Sequence, residues 1–374
     1  MNVLNLPEII IRLRHEKGIT QGQLADFVGV TKASVSKWET GQSLPDILLL
    51  PEIASFFDIT VDELLGYQPQ LGREEIQTIY QELAAVFAES PFEEAMKQSW
   101  VWVKRYYSCY PFLLQVSVLW LNHYMLAESE ERRREILSEA SDLCTRIMEN
   151  CSDIGICNDA IMVRASIDLQ LGRVREVITV LEELLNPYHI ASQSEGVLIR
   201  AYQLTGDKEK AVGFSQFSMF LHLLAFICSA AQYMELHSEQ LDICEITIQR
   251  IRQVMNVYDV EHLHPNTAAQ FWYQTAIVYC MHNKEQEALE ALEEFVSSID
   301  CLFHTKGMIL HGDRYFDKIE TWLDHSELGK NAPRDKKLVL DSAKQALEHP
   351  AFDLLKGDPR YQKLRHVLRT SVRI

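Results

Sequence analysis

Residues 18–41 read Gly18-Ile19-Thr20-Gln21-Gly22-Gln23-Leu24-Ala25-Asp26-Phe27-Val28-Gly29-Val30-Thr31-Lys32-Ala33-Ser34-Val35-Ser36-Lys37-Trp38-Glu39-Thr40-Gly41, and this stretch decides the fold of the N-terminus. Thr20 with Gln23 three positions on is a capping box: the hydroxyl accepts from the Gln23 amide and the Gln23 side chain reaches back. Leu24, Ala25 and Val28 then form an apolar stripe at helical spacing. Gly29 supplies a tight turn, Val30 plugs the core, and Thr31 caps a second helix. In that helix Val35 and Trp38, three apart, face inward before Gly41 ends it. Two short helices joined by a glycine turn are the result.

Working outward, Pro7 opens a preceding helix with Ile10 and Leu13 on its apolar side, stopped by Gly18. A fourth helix is expected from about Asp46 to Phe57, with Pro51 inside it and bending it. Thr60 caps a last turn through Leu65, and Gly66 closes a unit of five short helices over 1–66. A polar break, Tyr67 to Gly72, opens a linker and connecting helix over 67–90. From residue 91 to 374 the pattern is helical nearly throughout, interrupted near Ser90-Pro91, Tyr110-Pro111, Glu128-Ser129, Cys151–Gly155, Asn186-Pro187, His264-Pro265 and Asn331–Pro333. With 11 Pro and 15 Gly in 374 residues, helix breakers are few and an all-α chain is expected.

Within 91–374, Gly172 and Gly206 are 34 positions apart and lie in similar contexts. A third copy runs from His282 to Ala288, with Trp272, Ala276, Tyr279, Ala288 and Leu292 at apolar or small positions. A small residue on each helix lets two helices approach, and Gly or Asn takes the turn between them. The period is that of a tetratricopeptide repeat, so 91–374 is expected to be a tetratricopeptide-like α-solenoid. Pro350-Ala351-Phe352 with Asp358-Pro359-Arg360-Tyr361 reads as its closing hairpin.

The pattern Gly18-Ile19-Thr20-Gln21, Leu24-Ala25, Gly29-Val30-Thr31, Val35-Ser36-Lys37-Trp38-Glu39, Gly41 and Pro45, with Asp62-Glu63-Leu64-Leu65, closely resembles the Cro/repressor-type (XRE) helix-turn-helix family. The remainder resembles, at the level of architecture, the tetratricopeptide-type sensor domains joined to such helix-turn-helices in Gram-positive bacteria, peptide-sensing regulators among them. The first resemblance implies a lambda-repressor-like DNA-binding domain whose third helix lies in the major groove. With Val35 and Trp38 inward, Lys32, Ala33, Ser36 and Lys37 point outward. A lysine can donate to guanine, and Ala33 can touch a thymine methyl. Gln21 and Thr40 hold the family's phosphate-contact positions, and Arg14 with Glu39 its structural ion pair. One such domain meets few base pairs, so a homodimer on two half-sites is expected, with the repeats supplying the dimer contact.

Charge bears on that reading. The chain carries a formal −17, and residues 1–66 hold five basic side chains (Arg12, Arg14, Lys17, Lys32, Lys37) against nine acidic ones. Bulk electrostatics therefore disfavours nucleic acid, and contact must come from a local basic surface. The eight scattered cysteines lack a C-x-x-C pair and read as free thiols in a reducing cytoplasm. No run of about 18 apolar residues is read, so no membrane span is expected.

On the repeats, the frames set by Gly172, Gly206 and Asn283 turn Asp159, Ser166, Gln193, Arg200, Gln203, Gln270 and Tyr273 toward a concave side. Arg200 with Gln203 can hold a carboxylate, and Gln270 with Tyr273 an amide and an apolar group, so a short peptide or small effector is the expected ligand. The aromatic run from Trp100 to Tyr124 reads as core, and Phe214 to Phe226 as core or dimer contact. His262-x-His264 lacks a companion carboxylate at metal-site spacing, and no phosphate loop or nucleophile motif is present. No enzyme, cofactor or metal is expected. The alternative function is a repeat scaffold holding a partner protein, with the helix-turn-helix for docking or autoregulation.

Overall fold

The capping box expected at Thr20 is closed at both ends: the Gln23 amide donates to the Thr20 hydroxyl at 3.3 Å, and the Thr20 amide donates to Gln23 Oε1 at 2.8 Å. The computed structural model describes residues 5–67, 69–185, 194–304, 308–326 and 328–370. Among them all regular structure is helical, apart from one isolated bridge pairing Ile309 with Asn331. The chain separates into two compact units, Met1–Gly72 with Val103–Cys109, and Arg73–Trp102 with Tyr110–Ile374.

The first unit holds α1 (Leu6–Glu16), α2 (Gln21–Val28), α3 (Lys32–Glu39), α4 (Leu50–Phe57) and α5 (Val61–Leu65). Their inward stripes meet in one core of Leu6, Ile10, Leu24, Ala25, Val28, Val35, Trp38, Ile53, Ala54, Phe57 and Leu64. Gly29, the turn glycine between α2 and α3, has φ 76, a conformation an L side chain adopts only at a cost. Pro51 departs from its expected place. A separate 3-10 turn, Ile47–Leu49, precedes α4, so Pro51 sits in the first helical turn and bends nothing. There its missing N–H has no intrahelical partner to lose.

The second unit is a succession of helices: α6 (Arg73–Glu89), α7 (Phe92–Arg105), α8 (Tyr110–His123), α9 (Glu130–Asn150), α10 (Ile154–Gln170), α11 (Val174–Leu184), α12 (Ser194–Leu204), α13 (Lys208–Leu236), α14 (Leu241–Val257), α15 (Val260–Leu263), α16 (Pro265–Met281), α17 (Glu285–His304), α18 (Glu320–Asp324), α19 (Lys336–Ala346) and α20 (Pro359–Thr370). The last residues of α7 lie in the first unit. Three helical hairpins turn where the sequence repeat puts them, with Gly172, Gly206 and Asn283 all at positive φ. In the third hairpin Ala276 and Ala288 are fully buried where α16 meets α17. Their small side chains allow the two backbones to come close.

The aromatic run supplies core in part: Tyr106, Phe112 and Trp120 are buried, with Trp120 Nε1 donating to Ser99 Oγ at 3.0 Å, whereas Tyr107 is exposed and Trp100, Trp102, Tyr110 and Tyr124 are half-buried. The closing segment also packs inward, with Phe352 and Tyr361 fully buried among α16, α17 and α20 side chains.

α13 is an element whose extent the sequence reading left open. At 29 residues it is far longer than a repeat helix, and by length and composition alone it could cross a bilayer. Scattered Ser, Gln and His residues hid this by breaking any unbroken apolar run. Gly213, Phe220, Ile227 and Met234, seven apart, face the core. A Cβ on Gly213 would stand 2.8 Å from Trp322 Nε1, so glycine is what lets α18 approach. Val212, Met219, Phe226 and Tyr233, also seven apart, are exposed on the other side. The expected apolar group therefore splits: Phe220 is core, Phe214, Phe217 and Leu224 are half-buried, and Leu221 and Phe226 are exposed.

Candidate nucleic-acid interface

α3 starts at an N-cap whose geometry the sequence sets. The Thr31 hydroxyl accepts from the Ser34 amide at 3.2 Å, satisfying a donor the helix leaves over. Val35 at 0% and Trp38 at 5% exposure then lock the rotation of the helix about its axis. Lys32, Ala33 and Lys37 are exposed on the opposite face, with Ser36 half-buried among them. Among the described residues neither Lys32 nor Lys37 takes part in an ion pair, whereas the other three Lys and Arg residues of 5–67 are committed. Arg12 pairs with Glu16 at 3.2 Å, and Lys17 pairs with Asp58 at 3.1 Å while also donating to the Phe56 carbonyl. The unit's net acidity thus coexists with a cationic α3 surface.

Arg14 is the third, and it ties the unit together. Its Nε donates to Glu39 Oε1 at 2.6 Å, Nη2 to Glu39 Oε2 at 3.2 Å, and Nη1 to the Ile19 carbonyl at 2.9 Å. The pair is largely shielded, with side-chain exposures of 13% and 5%. It joins α1, the turn before α2 and the end of α3. Burial alone would raise the Glu39 carboxyl. The hydrogen bonds from Arg14 and Gln21, with the Arg14 charge, outweigh it and hold the carboxyl below its ordinary 4.5.

The two expected phosphate contacts are partly occupied within the fold. Gln21 Nε2 donates to Glu39 Oε2 at 2.8 Å, so its amide extends the Arg14–Glu39 pair. The Thr40 hydroxyl lies 3.0 Å from the Ser36 carbonyl and 3.2 Å from that of Lys37, closing the end of α3. Gln21 can offer its second amide proton to a phosphate, whereas the Thr40 hydroxyl must turn its one proton away from the α3 carbonyls to do so. No spacing in the sequence announces the Gln21–Glu39 bond, which spans 18 positions and depends on where α3 lies after folding.

The four expected ligand residues are not brought to one place. On α12, Arg200 Nη1 donates to Gln203 Oε1 at 3.2 Å, and both are exposed. Gln270 and Tyr273 instead line a cavity between α16, α17 and α19, where the Tyr273 ring lies 5.6 Å from Phe295. Of the other concave positions, Asp159 and Ser166 are exposed, and Gln193 lies outside the described residues. The cavity's charged residue, Arg334, was missed, since nothing in the local sequence marks it. His262 hydrogen-bonds Asp259 at 2.7 Å while His264 lines the cavity; among the described residues no group of His, Cys, Asp or Glu is placed to hold a metal ion.

The helix-turn-helix family model matches residues 10–64. Over 59 residues the chain is 43% identical to the HTH-type transcriptional activator BcrR of Enterococcus faecalis, covering 16% of this chain and 29% of that protein. Over 92 residues it is 30% identical to the SPbeta prophage-derived uncharacterized HTH-type transcriptional regulator YonR of Bacillus subtilis (strain 168), covering 24% of this chain and 85% of that one. The chain thus spans less than a third of BcrR's length. A crystal structure of Bacillus thuringiensis PlcR in complex with the peptide PapR7 and DNA aligns over 98% of this chain and 100% of its own, at 14% identity and a TM-score of 0.28, too low to speak for the repeat unit. Through its N-terminal unit, with the capped α2, the Gly29 turn and the buried Val35 and Trp38 of α3, the chain belongs to the Cro/repressor-type helix-turn-helix family of transcriptional regulators.

Proposed function

We propose that the chain is a sequence-specific, duplex-DNA-binding transcription regulator that works as a cytoplasmic homodimer, acts by binding rather than by catalysis, and answers to a peptide or small effector held by its repeat unit. One observation carries the DNA reading. Within residues 5–67 Lys32 and Lys37 are the two Lys or Arg side chains outside any ion pair among the described residues, and both stand on the outward face of α3. A cationic α3 surface offers phosphate and guanine contacts even on an acidic chain. Base readout rests on few groups, since Ala33 and Ser36 add a methyl and a hydroxyl.

Selection of bound duplexes from a random pool, followed by titration of the winning site, tests this. Lys32→Ala and Lys37→Ala should each cost about 1–3 kcal/mol of affinity, with relaxed base preference where the lysine reads a base and a shallower salt dependence where it meets phosphate. Unchanged affinity in both variants would remove α3 from the interface.

A homodimer follows from the small footprint of α3, because half-sites roughly 34–36 Å apart need two copies. The exposed Val212, Met219, Phe226 and Tyr233 stripe of α13 supports the same reading. Its seven-residue spacing is that of a seam two copies of one helix can share. Phe226→Glu puts charge in the middle of that stripe and should convert the dimer to monomer in light-scattering chromatography. A dimer of undiminished affinity would exclude α13 as the seam.

A further inference from the structure

The repeat unit encloses a cavity of about 610 Å³ between α16, α17 and α19. Small-molecule sites occupy about 300–1,000 Å³, so the volume suits a ligand of modest size. One side is closed by two loop segments held together by the Ile309–Asn331 bridge and by Leu310 N donating to the Lys330 carbonyl at 2.8 Å. The Tyr80 hydroxyl, donating to the Pro333 carbonyl at 2.9 Å, fixes the second loop to α6. The walls are largely apolar, with Phe295, Ile299, Leu302, Leu310 and Val339 among them.

Charge is distributed unevenly around this space. Among the described residues lining it there is no Asp or Glu, and Arg334 is the one Lys or Arg. His264, also in the wall, is kept neutral: burial, with His311 nearby, pushes its pKa down to about 4. Arg334 is half-buried, its Nε has no hydrogen-bond partner, and among the described residues no carboxylate pairs with it. Keeping the Nε–H buried without an acceptor is costly, which makes the position informative.

At Arg334 the cavity adjoins a smaller one of about 190 Å³, which Gln81 also lines. Gln81 Nε2 is a second buried donor without an acceptor. Asp335 lines the smaller cavity too, but its Oδ1 accepts from the Lys337 amide at 2.8 Å and caps α19. Two orphaned donors, one of them charged, therefore stand at the end of an apolar chamber. A carboxylate supplies both the acceptors and the charge they lack.

We propose that this cavity binds a small apolar molecule ending in a carboxylate, its chain along the aliphatic walls and its carboxylate on Arg334 and Gln81. The inference deepens the effector reading and rests on it for any consequence at DNA. Two sources share this chemistry, a free acyl acid and the C-terminus of a short apolar peptide. Gln270 and Tyr273 lie on the chamber wall away from the smaller cavity's lining, where they can meet a peptide's amides or an acyl chain equally.

Calorimetric titration of the full chain with decanoate and decanamide, and with the tripeptide Leu-Val-Leu as free acid and as C-terminal amide, separates the two sources. One free acid should bind, and its uncharged counterpart should bind about 10–100-fold more weakly, the size of a charge-assisted hydrogen bond. Arg334→Gln should lose the same factor for the acid and leave the amide unchanged. Ala343→Leu, which narrows the chamber without touching the guanidinium, should weaken acid and amide together. If Arg334→Gln does not fold, the acid–amide comparison on the unaltered chain decides alone. Equal binding of acid and amide, or binding of neither acid, overturns the proposal. Should neither acid bind while a peptide or metabolite pool still shifts operator affinity, the ligand chemistry falls and the effector reading stands. Should an acid bind with no change in operator affinity, the site stands and the effector reading falls.

Discussion

Trp38→Ala is expected to unfold the N-terminal unit while leaving the repeat unit intact. The Trp38 ring is 5% exposed and packs in the core shared by α1 to α5. Truncating a buried Trp costs about 3–5 kcal/mol through lost transfer energy and the cavity left behind. A unit this small has only about 4–12 kcal/mol to lose, at roughly 0.05–0.15 kcal/mol per residue. Far-UV dichroism is dominated by the long helices of the second unit, so the measurement is hydrogen exchange across residues 10–64 together with duplex binding. Both protection and binding should fall sharply. Full protection of α2 and α3 in the variant would show that Trp38 does not hold them.

Glu39→Ala should destabilise the same unit by a comparable amount for a different reason. The carboxylate receives Arg14 Nε at 2.6 Å and Gln21 Nε2 at 2.8 Å in a largely shielded setting. Removing it strands the guanidinium, and breaking a buried pair from one side costs about 3–5 kcal/mol. Replacing both partners, Arg14→Met with Glu39→Leu, should recover most of that loss, because no charge is then left uncompensated. A double variant as unstable as Glu39→Ala would argue against the ion-pair account.

The same carboxylate makes a pH prediction. Its folded-state pKa is held below the ordinary 4.5, so the folded unit binds this proton less readily than the unfolded chain. The contribution is fully present above the unfolded value and is lost as pH falls through the folded one. The first unit should therefore lose protection below about pH 4.5. Glu39→Gln should flatten that fall, read by hydrogen exchange from pH 6 down to pH 3.

The helix-turn-helix was legible because its determinants are close in sequence. Thr20 and Gln23, Gly29, Thr31, and Val35 with Trp38 each act within a turn or two of the chain, and their hydrogen bonds and φ values agree with the expectation. The repeat turns were legible for a related reason: a tight turn between packed helices needs a residue tolerant of positive φ, and Gly172, Gly206 and Asn283 are such residues. Pro51 misled because the sequence does not mark whether a proline is in the first turn of a helix or inside it. The division of α13 was not legible because its two heptad-spaced faces, one buried and one exposed, merge into a single apolar pattern when read along the chain.

What the sequence determined by itself is the set of local elements and the outward face of α3, since caps, turns and i,i+3 spacing are written into neighbouring residues. What only the tertiary structure decided is which polar groups are spent and which remain. Gln21 is drawn to Glu39 and Lys17 to Asp58, leaving Lys32 and Lys37 on the surface. The chamber beside Arg334 belongs to the same category. It is shaped by segments such as Tyr80 and Pro333, 253 positions apart. Burial and hydrogen-bond satisfaction depend on which distant surfaces meet, and no window of sequence contains both.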